Sequence, residues 1–225
     1  MITGAIEVYL KRIYALETEE QAATTSRIAA RMAVSAPSVS GMLKRLESSE
    51  LVRRVPPRAV RLTPQGQAHA LRVVRRHRLL ETFLVQVLGL TWDEVHAEAE
   101  RLEHAVSDRL LARIDAVLGQ PTHDPHGDPI PPEHGQHDER WADPLDCAPV
   151  GSRFRVERVS DRDSSALRHL ATLNIRPGVL VEIEGRDPFG GPLWIRVGER
   201  LHAVGPPLAA IVHGTVECLP IEPQA

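Results

Sequence analysis

Aromatic residues make up only 4% of this 225-residue chain, and cysteine is rarer still: two residues, Cys147 and Cys218, far apart and outside any Cys-x-x-Cys pairing. That scarcity excludes a disulfide framework and a thiolate zinc site, so both are read as ordinary thiols. Long apolar runs are missing, and nothing approaches the roughly 18 residues needed to span a bilayer. Met1-Ile2-Thr3-Gly4 carries neither the basic flank nor the apolar stretch of a signal peptide, so the expectation is a cytoplasmic protein with no membrane partner. Also absent are a His-Glu-x-x-His helix, a nucleophile elbow and a glycine-rich phosphate loop, which speaks against an enzyme. What is present is a 42% hydrophobic chain, enough for the cores of two or three small domains.

Acidic residues are scarce at one end only. The formal net charge is −3, yet residues 1–80 carry 14 Lys and Arg against 6 Asp and Glu, and residues 81–225 carry 13 against 24. A basic front on an acidic body suits a phosphate-binding module fused to a carboxylate-rich one, because phosphates select clustered Arg and Lys while hard cations select carboxylates.

Periodicity divides the chain further. Ile6, Tyr9, Leu10, Ile13 and Leu16 recur at helical spacing. Thr24-Thr25-Ser26 can cap a second helix through Ile28, Ala29 and Met32, and after Ala33-Val34-Ser35 a third begins at Ala36-Pro37, with Val39, Met42, Leu43 and Leu46 on one face. Two short helices joined this way make a helix-turn-helix candidate. Leu51–Val55 and Ala59–Leu62, around Pro56-Pro57-Arg58, alternate apolar with basic residues as a two-stranded wing does. Thr63-Pro64 opens a long helix to about Leu88, Thr91-Trp92-Asp93-Glu94 has capping-box spacing for a helix to about His104, and Ser107-Asp108 begins another ending near Gly119. Residues 120–149, rich in Pro, Gly, His and Asp, read as a flexible surface linker. Their His123, Asp124, His126, Asp128, His134 and His137 match no compact metal site, although a third cation there is conceivable. From Val150, short apolar runs (Phe154–Val156, Val179–Ile183, Leu193–Val197, Ile211–Val216) describe a small β-barrel with a short helix at Ser164–Leu173. The expected fold is mainly α with a small β domain. Its parts are a winged helix-turn-helix over 1–63, a helical dimerisation and metal-binding domain over 64–119, the linker, and an SH3-like barrel over 150–225.

Charged residues at helical spacing usually form solvated faces, but here histidines and glutamates share stripes. His77 and Glu81 lie four apart, and His96, Glu100, Glu103 and His104 fall at i, i+4, i+7 and i+8, so two antiparallel helices could converge imidazoles and carboxylates on a divalent cation. On the DNA side, Ser35, Ala36, Pro37, Ser38 and Ser40 are small enough to let the third helix approach a duplex. Lys44 and Arg45 flank it, and Arg27, Arg53, Arg54 and Arg58 offer charge to the phosphates. No long bidentate reader stands among the first residues of that helix, so shape and methyl contacts should carry much of the specificity.

The fragments Ile6–Tyr14, Ser35–Ser40, Arg76–Glu81, Val95-His96, Glu103-His104 and Gly127–Pro131 together resemble the diphtheria toxin repressor and manganese transport regulator family, over nearly the whole chain. The resemblance implies a homodimeric, metal-dependent repressor that binds a double-stranded DNA operator and controls metal-homeostasis genes. It implies one metal site at His77, Glu81 and His96 with Asp163 from the barrel, and a second at Glu100, Glu103 and His104 with a ligand from the first helix. The chain departs from the pattern in that helix. Iron-type members place Met there and Cys on helix five, manganese-type members place Asp and Glu, and this chain has Val8, Lys11 and Glu100, leaving Glu7 as the nearest carboxylate; Ala166 stands where iron-type members have a polar barrel ligand. An oxygen donor at Glu100 favours Mn(II), or Fe(II), while Zn(II), Co(II), Ni(II) or Cd(II) could substitute in vitro. Two other readings are kept: a metal-independent winged-helix regulator answering an organic ligand or a protein, which calorimetry with Mn(II) separates, and a metal-dependent hydrolase, which turnover abolished by His77→Ala would reveal.

Overall fold

The apolar stripe of the first segment does what its spacing requires. In the computed structural model, which describes residues 3–19, 21–133, 137 and 139–217, α1 (Gly4–Thr18) buries Ile6, Tyr9, Leu10, Ile13, Tyr14 and Leu16. Cys218 and His134 lie outside the described residues. α2 (Thr25–Met32) and α3 (Ala36–Ser48) start where Thr24 and Ser35 turn their hydroxyls onto the backbone N–H groups of Arg27 and Ser38, each 3.3 Å away. Such caps satisfy donors that no helical carbonyl can reach. The wing is β2 (Val52–Val55) paired antiparallel with β3 (Ala59–Leu62), with β1 (Ala23–Thr24) on the other side of β3.

α4 (Pro64–Gln86) belongs to two cores at once. Ala70 and Val74 pack with α1, α2, α3 and the wing, whereas Leu80 and Leu84 pack with α5 (Val95–Leu102) and α6 (Asp108–Val117) through Val95, Ala99 and Ile114. The rod, about 35 Å long at 1.5 Å per residue, begins at Pro64, and its first turns complete the core of the segment before it. Gly66 explains how the rod docks so near the wing: a Cβ there would stand 1.9 Å from the Leu51 carbonyl oxygen. The capping-box contact forms, with Thr91 Oγ1 donating to Glu94 Oε2 at 2.6 Å, but the α-helix proper starts at Val95 and stops before Glu103.

The C-terminal unit is a six-stranded antiparallel sheet in the order β4-β9-β5-β6-β7-β8: β4 (Asp143–Pro144), β5 (Arg153–Val159), β6 (Leu180–Arg186), β7 (Leu193–Val197), β8 (Arg200–Val204) and β9 (Val212–Glu217). α7 (Ser164–Thr172) and α8 (Pro206–Ala209) cover its core of Phe154, Val156, Leu167, Ile183, Ile195 and Val212. Trp92 from the helical domain is buried in this same core, so the two units are joined by shared apolar burial.

The 120–149 segment corrects the expectation of a flexible surface linker. Asp124, His126, Gly127, Asp128 and Ile130 are buried, and the barrel sheet already starts at Asp143. The loop is tied down by backbone chemistry. Asp124 Oδ1 accepts from the His126 and Asp128 N–H groups at 2.8 and 2.9 Å, and the Val159 N–H donates to the His126 carbonyl at 2.9 Å. Gly127 makes this possible, since its φ is +87° and a Cβ would lie 1.9 Å from the Glu157 carbonyl oxygen.

Candidate metal centre and DNA-facing surface

Two helices bring the first ligand stripe together as the spacing predicts. His77 Nε2 lies 2.9 Å from Glu81 Oε1 one turn along α4, and 3.2 Å from His96 Nδ1 on α5. Both His77 and Glu81 are buried, so their lone pairs must be met from within the protein. The loop after β5 supplies the fourth member, which is Asp161 and not Asp163: Asp161 Oδ2 stands 2.6 Å from His96 Nδ1. Asp163 is instead exposed and caps α7, accepting from the Ser165 N–H at 2.8 Å and the Ala166 N–H at 3.3 Å. The capping role fixes its side chain on its own helix, and the backbone two residues earlier turns the other carboxylate inward.

A further group converges on the opposite oxygen of Glu81. His126 Nε2 donates to the Trp92 carbonyl at 2.6 Å, which turns Nδ1 toward Glu81. This Nδ1 is buried and has no hydrogen-bond partner; it stands 3.8 Å from Glu81 Oε2, beside Asp124, whose Oδ2 is likewise unsatisfied. His77, Glu81, His96 and Asp161 form one set of donor atoms, and Glu81, Asp124 and His126 another, each with its atoms within 4.8 Å of one another. Orphaned buried nitrogen and oxygen atoms with no thiolate among them fit a hard or borderline divalent cation. Sequence reasoning missed Asp161 and set His126 and Asp124 aside. The readable signal was the Gly127-Asp128-Pro129 turn just after them, which demands a close backbone approach.

Electrostatics in the protein as it stands follow from this crowding. Burial pulls the His96 pKa down, but hydrogen bonds to Asp161, Glu100 and Glu81 outweigh it and push the imidazole up to about 12. Burial similarly opposes the charges of Glu81 and Asp161, and the neighbouring imidazoles reverse the sign, holding Glu81 well below the usual glutamate range and Asp161 below that of aspartate. Asp124 has the contrary fate: burial and the nearby charges of Asp128 and Glu81 raise it well above normal. Protonated imidazole and ionised carboxylates thus alternate in the cluster, so a cation entering it would displace protons.

The second expected group is arranged differently. Glu100 turns to the first group, 3.5 Å from His96 Nε2, and pairs with Arg12. Glu7 Oε2 meets His104 Nδ1 at 2.7 Å, and Glu103 is buried against Lys11 and His77. These four residues do not form one shell of donors; positive side chains of the protein stand among them.

Beneath the first group lies a buried polar layer. Arg78 donates to the Pro129 carbonyl at 2.7 Å and pairs with Glu139, which also meets Arg158 at 3.0 Å, and Trp141 stacks on the Arg158 guanidinium at 3.4 Å. Nearby, Glu19 at the end of α1 holds Arg31 of α2 and Arg162 of the barrel loop together. That pairing ties the loop carrying Asp161 to the helix-turn-helix.

On the outer side of the first domain, Ser35, Pro37, Ser38, Lys44 and Arg45 of the α3 region are exposed, as are Arg27 and the wing residues Arg53, Arg54 and Arg58, while Ser40 is half-buried. The Ser35 hydroxyl caps α3, and Arg54 is lightly paired with Glu47 at 3.2 Å, a surface contact of little strength.

Comparison with known proteins agrees with this anatomy. Residues 1–60 match the model of the iron dependent repressor N-terminal DNA binding domain, residues 63–132 that of the iron dependent repressor metal binding and dimerisation domain, and residues 144–215 the FeoA domain. The iron-dependent repressor IdeR of Mycobacterium tuberculosis is 44% identical over 204 residues, covering 84% of this chain and 87% of that protein. The diphtheria toxin repressor of Corynebacterium diphtheriae is 34% identical over 200 residues, covering 83% and 87%. Among solved structures, a manganese-dependent transcriptional repressor in complex with manganese superposes with a TM-score of 0.88 at 42% identity, covering 94% of this chain and 100% of the other. ScaR with bound Cd2+ superposes with a TM-score of 0.81 at 33% identity, covering 93% and 98%.

Proposed function

The chain belongs to the iron-dependent repressor family of metal-dependent, DNA-binding transcriptional repressors, and from that premise we propose that it senses Mn(II), or Fe(II), through the His77–Glu81–His96–Asp161 cluster, and that Asp124 and His126 extend the same centre. The observation that carries this reading is the convergence of those four side chains from α4, α5 and the barrel loop. The relatives named for iron and for manganese both support a divalent cation. The all-nitrogen-and-oxygen donor set favours Mn(II) over metals selected by thiolate, with Zn(II), Co(II), Ni(II) and Cd(II) able to substitute in vitro. When bound, the cation supplies a positive charge shared by three elements. His77 and Glu81 hold α4, His96 holds α5, and Asp161 holds the loop that reaches α2 through Arg162, Glu19 and Arg31. The exposed face of α3 and the Arg-bearing wing then meet a double-stranded operator, in a homodimer whose two α3 helices enter successive major grooves.

Dimerisation is supported by apolar side chains left in water on the helical domain, among them Val87, Leu88, Leu110 and Val117. This reading makes the chain a regulator rather than an enzyme, acting in the cytoplasm where the chromosome lies. No described helix is long and apolar enough to cross a membrane.

The reading is tested by titrating Mn(II) into the protein and an operator fragment at fixed salt. Operator affinity should rise about 5- to 150-fold as the centre fills, the range of coupling between linked sites. An unchanged affinity would leave the winged-helix domain in place and remove the metal from its control.

Proton release gives a second check. In the cation-free protein His96 keeps its proton up to a pKa of about 12, so a cation must displace it at neutral pH. Apparent metal affinity should therefore rise with pH, roughly tenfold per pH unit for each proton displaced. Calorimetry in buffers of different ionisation enthalpy counts those protons, and a count of zero contradicts the charge state described above.

A further inference from the structure

On the far side of His77 from Asp161, α1 meets α4 and the end of α5, and the charges there are already matched. The Lys11 ammonium reaches from α1 to within 2.8 Å of Glu103 Oε2 and 3.0 Å of His77 Nδ1, and only 11% of its side chain is exposed. Its neighbour Arg12 engages Glu100. The carboxylate of Glu7, on the same helix, is spent on His104 at 2.7 Å, with Arg76 at 3.7 Å from its other oxygen. Val8, which borders the small cavity between these groups, offers no donor atom.

A second divalent ion at this junction has the wrong neighbours. Glu103 is buried, and a buried carboxylate needs a counter-charge; Lys11 provides one at hydrogen-bond distance. An ion seated on the same oxygen would face the ammonium with two like charges a few ångströms away and little water between them. The other oxygen of Glu103 faces His104 Nε2 at 3.5 Å, but the α1 carboxylate beside that imidazole, Glu7, is shared with the Arg76 guanidinium, so positive groups of the chain flank this side as well.

We propose that the Lys11 ammonium stands in for a second metal ion at the α1–α4–α5 junction, as a cation tethered to the chain, so that control by metal runs through the His96–Asp161 centre alone. The proposal rests on the reading of that centre given above. Its structural consequence is a permanent clasp: α1, and with it the DNA-facing domain, is fastened to α4 and α5 whether or not metal is present. The metal-dependent contact is then the one made by the barrel loop.

Counting ions decides the matter. The 225-residue protein is equilibrated with Mn(II), desalted and assayed for metal per chain, as wild type, His96→Ala, His104→Ala, Lys11→Glu and Lys11→Glu/His104→Ala. His104→Ala should leave the wild-type count unchanged, and Lys11→Glu should raise it by one ion per chain, which the added His104→Ala then removes. A lower count in His104→Ala with Lys11 intact overturns the proposal, and so does a folded Lys11→Glu protein that gains nothing. If Lys11→Glu does not fold, the His104→Ala comparison still separates one ion-binding centre from two. Failure of the first centre is seen separately, as a count that His96→Ala does not lower.

Discussion

Replacing His96 or Asp161 by alanine should lower Mn(II) affinity by 100-fold or more, because even residues that merely orient metal ligands are worth about 10- to 100-fold. Operator affinity measured at a fixed Mn(II) concentration below saturation of the variant should fall to its metal-free level. Asp163→Ala is the informative control. Its carboxylate is exposed and committed to the first turn of α7, so its loss should loosen that helix slightly and leave metal affinity and operator binding as they were. Calorimetry for the metal and fluorescence anisotropy for the operator read both quantities. If Asp163→Ala matched Asp161→Ala in its effect, the assignment of the barrel ligand would be reversed.

The largest stability effect is expected at Arg78, which is buried among Asp124, Asp128 and Glu139 and whose guanidinium is held charged because those carboxylates outweigh the cost of burial. Arg78→Ala removes one of the two guanidinium groups of this buried layer and leaves Arg158 alone to offset Asp124, Asp128 and Glu139, which costs about 3–5 kcal/mol. For a chain of this size that should lower the melting temperature by on the order of 10 °C. Combining Arg78→Met with Glu139→Gln should recover part of the loss, since removing both charges is less costly than stranding one. Differential scanning calorimetry of the single and double variants measures the coupling. Strictly additive losses would show that the two side chains act independently.

Much of the architecture was legible because it is local. Thr24, Ser35, Thr63 and Ser107 cap the helices they precede, since a hydroxyl placed there reaches only the next turn's N–H groups. The α4 stripe was legible for the same reason: residues four apart share a face, and His77 and Glu81 meet at 2.9 Å. The α5 stripe was only half informative. His96 joins the first group and Glu100 only leans on it through His96 Nε2, while the α-helix ends before Glu103, and that residue faces Lys11 and His77.

Asp161 and the 120–149 segment were not legible, and for one reason. Composition marked the segment as polar and rich in breakers, which describes equally a solvated linker and a strap clamped between two domains. What separates them is the hydrogen bond from Val159 to the His126 carbonyl and the tight approach at Gly127, both set by a strand some thirty residues away. Likewise, two aspartates two residues apart in a loop differ only in which one the barrel turns inward.

By itself, then, the sequence determined the helix and strand periods, the basic winged-helix front and the His77–Glu81 pair on α4, because each depends on neighbours within one or two turns. Tertiary structure alone decided that Asp161 joins the His77–Glu81–His96 cluster, that His126 and Asp124 border it, and that Lys11 occupies the junction beside it. Those placements depend on where three separately folded segments meet, and the free energy of a buried charge is fixed by what stands opposite it rather than by what precedes it in the chain.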